Sequence, residues 1–173
     1  MKLNVEEIKK DFPIFGKSMR NGARLIYLDS GATSQKPRSV IAAEEDFYFK
    51  HNAAVHRGSH LLAEEANEAY EGAREVIAEF LGAPSEEIIF TKSATESLNL
   101  IAYSISNTRN YLSDDDEILV TEMEHHANLI PWQELAKRTG AKLRWISVSE
   151  DGRLDLSNID SLINKKTKIL AIT

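Results

Sequence analysis

Residues 117–140 read EILVTEMEHHANLIPWQELAKRTG. The first six, Glu117–Glu122 (E-I-L-V-T-E), are a strand-like run. Pro131 can open a helix and Gly140 can close it, so Pro131–Thr139 is predicted helical. Between them lie His125 and His126. A strand followed closely by a helix is half of a βαβ unit. In an open α/β sheet, ligands bind outside the carboxyl ends of the strands. The two imidazoles are therefore expected at the ligand edge of the sheet, where a flat ring can stack on a flat cofactor.

The same alternation extends in both directions. Glu87–Thr91 is predicted to be a strand. Thr95 to Ile105 is predicted helical, with Leu98, Ile101, Ala102 and Ile105 on one face. Beyond Gly140 come a strand at Leu143–Val148, a turn at Asp151-Gly152, a short helix at Leu156–Ile163 and an apolar strand at Lys168–Thr173. Strand–helix repeated three times and closed by a strand predicts a three-layer α/β fold, with a mainly parallel sheet and helices on both faces. Upstream, Asn4 and Glu7 fit a capping box for a short helix that Pro13 ends. Leu25–Asp29 is expected as a short strand, and Ser30–Pro37 as a loop of small polar residues. Pro37 opens a helix to about Phe49, and Lys50–His60 is irregular. A long helix then runs from Leu61 to a stop at Gly82, with Ala66, Ala69, Ala73, Val76, Ile77 and Phe80 at helical spacing. The expected division is a helical arm over 1–24 and a main domain over 25–173. A sheet strand that ends at Thr173 has no loop to deliver to the ligand edge, so the expectation is the N-terminal part of a longer protein.

The 173 residues are 42% hydrophobic and 28% charged, an ordinary globular composition. The net charge of −6 gives no reason to expect nucleic acid. No stretch approaches the roughly 18 apolar residues of a membrane helix, and the first residues lack an apolar signal core. The expected location is cytoplasmic. There is no cysteine, which excludes disulfides, thiolate metal sites and a cysteine nucleophile within these residues.

Four segments can carry chemistry, each with a plainer alternative. At Thr91–Asn99 a strand ends, small residues turn the chain and a helix begins. The unpaired amides and positive dipole of such a terminus suit a phosphate. Ser93 and Thr95 add hydroxyls, and Ala94 allows close approach. A simple Ser/Thr cap explains the same residues, and the glycines of a Walker loop or dinucleotide fingerprint are missing. The His125-His126 pair fits a stacking ring, two unliganded loop histidines or a metal site. The last lacks the usual ligand spacing, so no metal is expected. In His51–His60, Arg57 can recognise a carboxylate or phosphate, or the loop is merely solvated. In Asp29–Thr33, Gly31 and Ala32 suit close approach of a ligand or a neighbouring subunit, or a turn.

Taken together these segments resemble one family. Tyr27–Pro37, Ala54–His60 (Ala-Val-His-Arg-Gly-Ser-His), Tyr70–Arg74, Ser93–Leu100 and Glu124–Gln133 are similar, in that order, to the N-terminal part of Suf-type (group II) cysteine desulfurases. These are fold-type I, class V aminotransferase-like pyridoxal-phosphate enzymes. The resemblance covers essentially the whole chain. It implies the large domain of that fold, incomplete, and pyridoxal 5'-phosphate as cofactor. It implies that His125 stacks on the pyridine ring and that Ala94 and Thr95 hold the phosphate. Asn52, His56, Arg57, Gly31 and Ala32 would border the substrate entrance or a dimer contact. Two departures stand out: Ser93-Ala94 replaces a second threonine or a Gly-Thr pair, and Ser30-Gly31-Ala32 replaces Ser-Ala-Ala.

The resemblance places the Schiff-base lysine and the persulfide cysteine beyond Thr173, so no catalytic residue is expected among these 173. It implies a homodimer that takes sulfur from L-cysteine, leaving alanine, and passes it to an acceptor protein of iron–sulfur cluster assembly. This chain alone is expected to be inactive. A selenocysteine lyase, kynureninase or epimerase would share the superfamily. A stand-alone half-domain that binds a ligand or partner is the reading from a different class.

Overall fold

Asn4 opens the first helix, α1 (Val5–Lys10), by accepting the Glu7 amide on its side-chain oxygen at 3.3 Å. Pro13 does not continue it. Lacking an N–H, it starts a 3-10 turn instead, Pro13–Gly16. The computed structural model describes residues 3–173, and the chain divides into two units, Met1–Ile88 and Ile89–Thr173.

In the first unit α2 (Arg38–Asp46) follows Pro37 and passes into one π-helical turn, Phe47–His51. The long helix α3 spans Leu61–Leu81, and Gly82 closes it at φ +68°, a left-handed conformation that favours glycine. Its length and stop match the sequence reading, but its packing differs. Ala63, Ala66 and Ala78 are buried, whereas Val76 and Phe80 of the predicted apolar face are 67% and 88% exposed. Leu25–Asp29 is not a strand. A strand requires a partner to complete its ladder. The pairing found nearby is one antiparallel bridge, Ser18 with Arg24, and Ile26 and Leu28 are exposed.

The second unit carries α4 (Ala94–Asn107), β1 (Glu117–Thr121), α5 (Ile130–Thr139), β2 (Lys142–Ile146), α6 (Ile159–Leu162) and β3 (Thr167–Ala171). The strands are parallel in the order β2-β1-β3, with Leu119 opposite Arg144 on one side and Leu170 on the other. All five residues of β1 are buried, as a central parallel strand requires. The predicted strand at Glu87–Thr91 does not form. Ser85–Glu87 makes a 3-10 turn, and the extended residues after it have no ladder partner among the described residues. Its apolar, β-branched composition favours extended backbone, but a neighbouring strand is not local information.

Side chains alternate along β1. Ile118 and Val120 share one face and pack with Ala102 of α4 and with Trp132 and Leu135 of α5; Ala141 and Ala171 complete that core. Helices α4 and α5 pack on each other. Gly140 ends α5 at φ +82°, and a Cβ there would lie 3.2 Å from the Asp114 Cβ. Both the backbone and the space call for glycine. Parallel pairing brings the carboxyl ends of the three strands to one edge. The loop that leaves β1 there holds His125. No helix among the described residues is long and apolar enough to cross a membrane.

Candidate functional site

Ser93 caps α4 from extended backbone. Its Oγ accepts the Glu96 amide at 3.3 Å, and its carbonyl accepts the Ser97 amide at 3.1 Å. The Glu96 carboxylate reaches back to accept the Lys92 amide at 2.5 Å. This is the plain cap expected of such residues, and it is incomplete. The Ala94 and Thr95 amides meet no acceptor among the described residues, as the first turn of a helix predicts. The Thr95 hydroxyl also has no partner there, while the Thr95 carbonyl accepts from the Asn99 amide group at 2.8 Å. Ser93, Ala94 and Thr95 are all exposed. Two amides and a hydroxyl at the positive end of a helix are a donor set that fits a phosphate.

His125 stands as the cap of a short 3-10 turn, His126–Asn128, just past β1. Its Nδ1 accepts the Ala127 amide at 3.1 Å. A nitrogen that accepts carries no proton, so the ring's proton sits on Nε2. The His125 and His126 rings are 6.2 Å apart and tilted by 50°, so they do not stack on each other. Both are exposed. An imidazole anchored by one nitrogen with open faces fits a flat aromatic ligand. Helix α4 packs against this 3-10 turn, which makes the phosphate donors and the imidazole residents of neighbouring elements. A cavity of about 380 Å³ opens where α4, α5 and β3 meet, lined by Leu98, Ile101, Asn128, Trp132 and Thr173 among others. Thr95 and His125 are outside that lining.

Sequence reasoning missed the network behind this turn. The buried Asn128 accepts the Trp132 indole N–H on Oδ1 at 2.8 Å and donates from Nδ2 to Glu124 at 2.7 Å. Glu124 also accepts the Thr121 hydroxyl at 2.7 Å, the Thr173 amide at 3.2 Å and the Thr173 hydroxyl at 2.9 Å. Burial opposes ionisation of Glu124, but the donors on Thr121, Asn128 and Thr173 outweigh it and hold its carboxyl below the ordinary range. The i, i+4 spacing of Glu124, Asn128 and Trp132 was the available signal. At the far end of β1, Glu117 is likewise held low. The Asn164 amide at 3.0 Å dominates, burial works against it, and the Arg144 guanidinium at 2.9 Å adds to the lowering.

A carboxyl lowered by folding contributes stability above its unfolded value, and the contribution is lost as pH falls through the folded value. Acidification below the ordinary carboxylate range is therefore expected to loosen the second unit. Glu117→Gln should shrink that acid dependence. Melting curves recorded across an acid pH series check this; identical slopes for wild type and variant would refute it.

The remaining predicted residues lie in the first unit. His56 adopts φ +60°, the left-handed region that few non-glycine residues enter and histidine tolerates better than most. Its Nε2 lies 2.8 Å from Glu71 Oε1, and its ring meets the Tyr70 ring edge-on at 5.9 Å. Arg74, to which the sequence gives no role beyond closing the Tyr70–Arg74 stretch, is the pinned arginine of this group. It donates to Glu71 at 2.9 Å and to the Ile88 carbonyl, and its guanidinium lies over the Tyr70 ring at 5.1 Å. Arg57, by contrast, is exposed, and its guanidinium meets no acceptor among the described residues. Asn52 is exposed just after the π-turn. His60 caps α3, accepting the Ala63 amide on Nδ1 at 3.4 Å. Gly31 and Ala32 lie in a turn closed by the Ala32 amide on the Asp29 carbonyl at 3.1 Å, with Tyr27 Oη donating to the carbonyls of Asp29 and Thr33. Apart from its two chain neighbours, no described residue comes within 4 Å of a Cβ placed on Gly31, so a side chain there would meet open space.

The chain is similar to known proteins. The aminotransferase class-V family matches residues 26–173. A Streptomyces coelicolor protein named "Probable cysteine desulfurase" is 55% identical over 172 residues, which is 98% of this chain and 41% of that protein. The apo structure of the cysteine desulfurase from Thermococcus onnurineus NA1 superposes with a TM-score of 0.85 at 40% identity, covering 99% of this chain and 40% of that one. The Escherichia coli cysteine desulfurase CsdA, in its S-sulfonic acid form, superposes with a TM-score of 0.74 at 34% identity, covering 98% of this chain and 41% of that one. The chain thus spans about two fifths of the length of the relatives it matches.

Proposed function

The chain belongs to the class-V aminotransferase family, and on that premise we propose that it supplies the cofactor-holding part of a pyridoxal-phosphate-dependent cysteine desulfurase. The observation that carries this is the pairing of a phosphate-ready helix start, Ala94 and Thr95, with the exposed ring of His125 on the neighbouring turn. The Ala94 and Thr95 amides and the Thr95 hydroxyl would hold the phosphate, and His125 would stack on the pyridine ring. When bound, the cofactor would supply an electron sink for the chemistry on L-cysteine. Asn52, His56, Arg57, Gly31 and Ala32 serve the substrate entrance or a contact between the two copies of a homodimer. The main domain begins at residue 25, after an N-terminal arm. The sulfur released from L-cysteine passes to an acceptor protein of iron–sulfur assembly in the cytoplasm.

These 173 residues hold no cysteine, so no persulfide can form on them. Their part is binding and orientation. Incubated with pyridoxal phosphate and L-cysteine, the complete protein is expected to release alanine and this chain alone none. Alanine turnover by the chain alone would refute the division of labour. A complete protein that binds the cofactor yet leaves L-cysteine intact would refute the desulfurase reading.

A further inference from the structure

We propose that Glu124 is a positioning residue: its carboxylate ties the His125 turn to the ends of β1 and β3 and so sets the orientation of the imidazole. This rests on the ring-stacking role proposed for His125. An ionised carboxylate accepts hydrogen bonds and donates none, and it has about four lone-pair sites. Glu124 fills that set. Oε1 takes the Thr121 hydroxyl and the Thr173 amide; Oε2 takes the Asn128 amide group and the Thr173 hydroxyl. The donors come from three places: the last residue of β1, the turn itself, and the chain just past β3. His125 lies between Glu124 and Asn128, both of them anchored, and its own ring is held by the Ala127 amide.

The network has a fixed polarity. The Trp132 indole nitrogen is a donor only, so Asn128 must turn Oδ1 toward it and its amino group toward Glu124. Asn128 is 4% exposed, and no solvent stands ready to take over a lost bond. Glu124→Gln keeps the shape but introduces an amino group that meets a donor whichever way it turns: Asn128 Nδ2 on one side, the Thr173 amide on the other. Asn128→Asp alone sets two carboxylates against each other. The Thr173 hydroxyl bridges the pair, accepting from Asn128 Nδ2 at 3.3 Å while donating to Glu124 Oε2. The two substitutions together reverse the 124–128 bond and turn that hydroxyl with it, since the new amide donates to the new carboxylate, whose other oxygen still accepts from Trp132.

The test uses the complete protein and two readouts. Hydrogen exchange at the Ala127 amide, measured without cofactor, reports the order of the turn. The dissociation constant for pyridoxal phosphate, with the circular dichroism of the bound chromophore, reports ring orientation. Glu124→Gln is expected to speed Ala127 exchange and to weaken cofactor binding by about tenfold, the cost of one opposed buried donor. Adding Asn128→Asp is expected to return both readouts to within roughly threefold of wild type, because contacting residues couple. Thr173→Val, which deletes one hydroxyl, should act in the same direction and more weakly, and it serves if Glu124→Gln does not fold. Wild-type exchange and affinity in Glu124→Gln would overturn the proposal, as would a double variant no better than the worse single. If wild type fails to bind pyridoxal phosphate, the stacking role of His125 falls, and Ala127 exchange alone decides whether Glu124 holds the turn.

Discussion

Ile118→Ala is expected to destabilise the second unit by about 2–5 kcal/mol, the range for deleting a large aliphatic side chain from a packed interior. Ile118 is wholly inaccessible, sits on the central strand, and faces α4 and α5 across the core. The loss combines the transfer energy of the missing carbons with the cavity left between two helices that are themselves packed together. Leu28→Ala removes a similar apolar mass from a side chain that is 92% exposed. It should change stability by no more than about 0.5 kcal/mol. Urea unfolding followed by far-ultraviolet circular dichroism separates the two. Equal midpoints would mean that β1 is not the centre of the core. The same substitution carries a functional consequence. Thr95 lies in the first turn of α4, and His125 sits on the loop between β1 and α5, so both hang from elements seated on Ile118.

Elements whose cause is local were legible in the sequence. The helix Leu61–Leu81 ends at Gly82 because that glycine takes a left-handed backbone. The helix Ile130–Thr139 carries Pro131 in its first turn and ends at Gly140 for similar reasons, and Glu117–Thr121 is strand because its apolar Ile118–Val120 centre suits a strand buried on both faces. What failed was non-local. Leu25–Asp29 and Glu87–Thr91 have the composition of strands, but neither finds a ladder partner among the described residues. Part of the site was legible in the same way. The Ser93 cap and the loop position of His125 follow from spacing. The clamp on that loop was not, because Glu124 meets Thr173 across 49 positions of sequence. Arg57 in its polar loop has the fork to bind a carboxylate or phosphate, whereas the ion pair of Arg74 with Glu71 follows from their i, i+3 spacing on one helix.

Removing both proposed cofactor contacts from the complete protein is expected to have a large effect. Thr95→Ala deletes a hydroxyl donor to a charged phosphate, a contribution of about 1.5–3 kcal/mol. His125→Ala deletes a stacked ring, about 0.5–1.5 kcal/mol beyond area burial. The two touch different parts of the ligand, so the losses should add to about 2–4.5 kcal/mol, roughly 30- to 2,000-fold in affinity for pyridoxal phosphate. Binding should weaken without vanishing, because the backbone amides remain. Those amides have their own probe. Ala94 is the first residue of α4, where proline is tolerated, and Ser93 before it is extended, as a residue preceding proline prefers. Ala94→Pro therefore removes one amide donor while keeping the helix. Pyridoxal, which lacks the phosphate, distinguishes the two halves of the site. Thr95→Ala and Ala94→Pro should leave its affinity unchanged, and His125→Ala should lower it. Equilibrium dialysis of the cofactor-free protein against both ligands reads this directly. If Thr95→Ala weakened pyridoxal as much as pyridoxal phosphate, the helix start would not be the phosphate anchor, because a group that touches only the phosphate cannot sense a ligand without one.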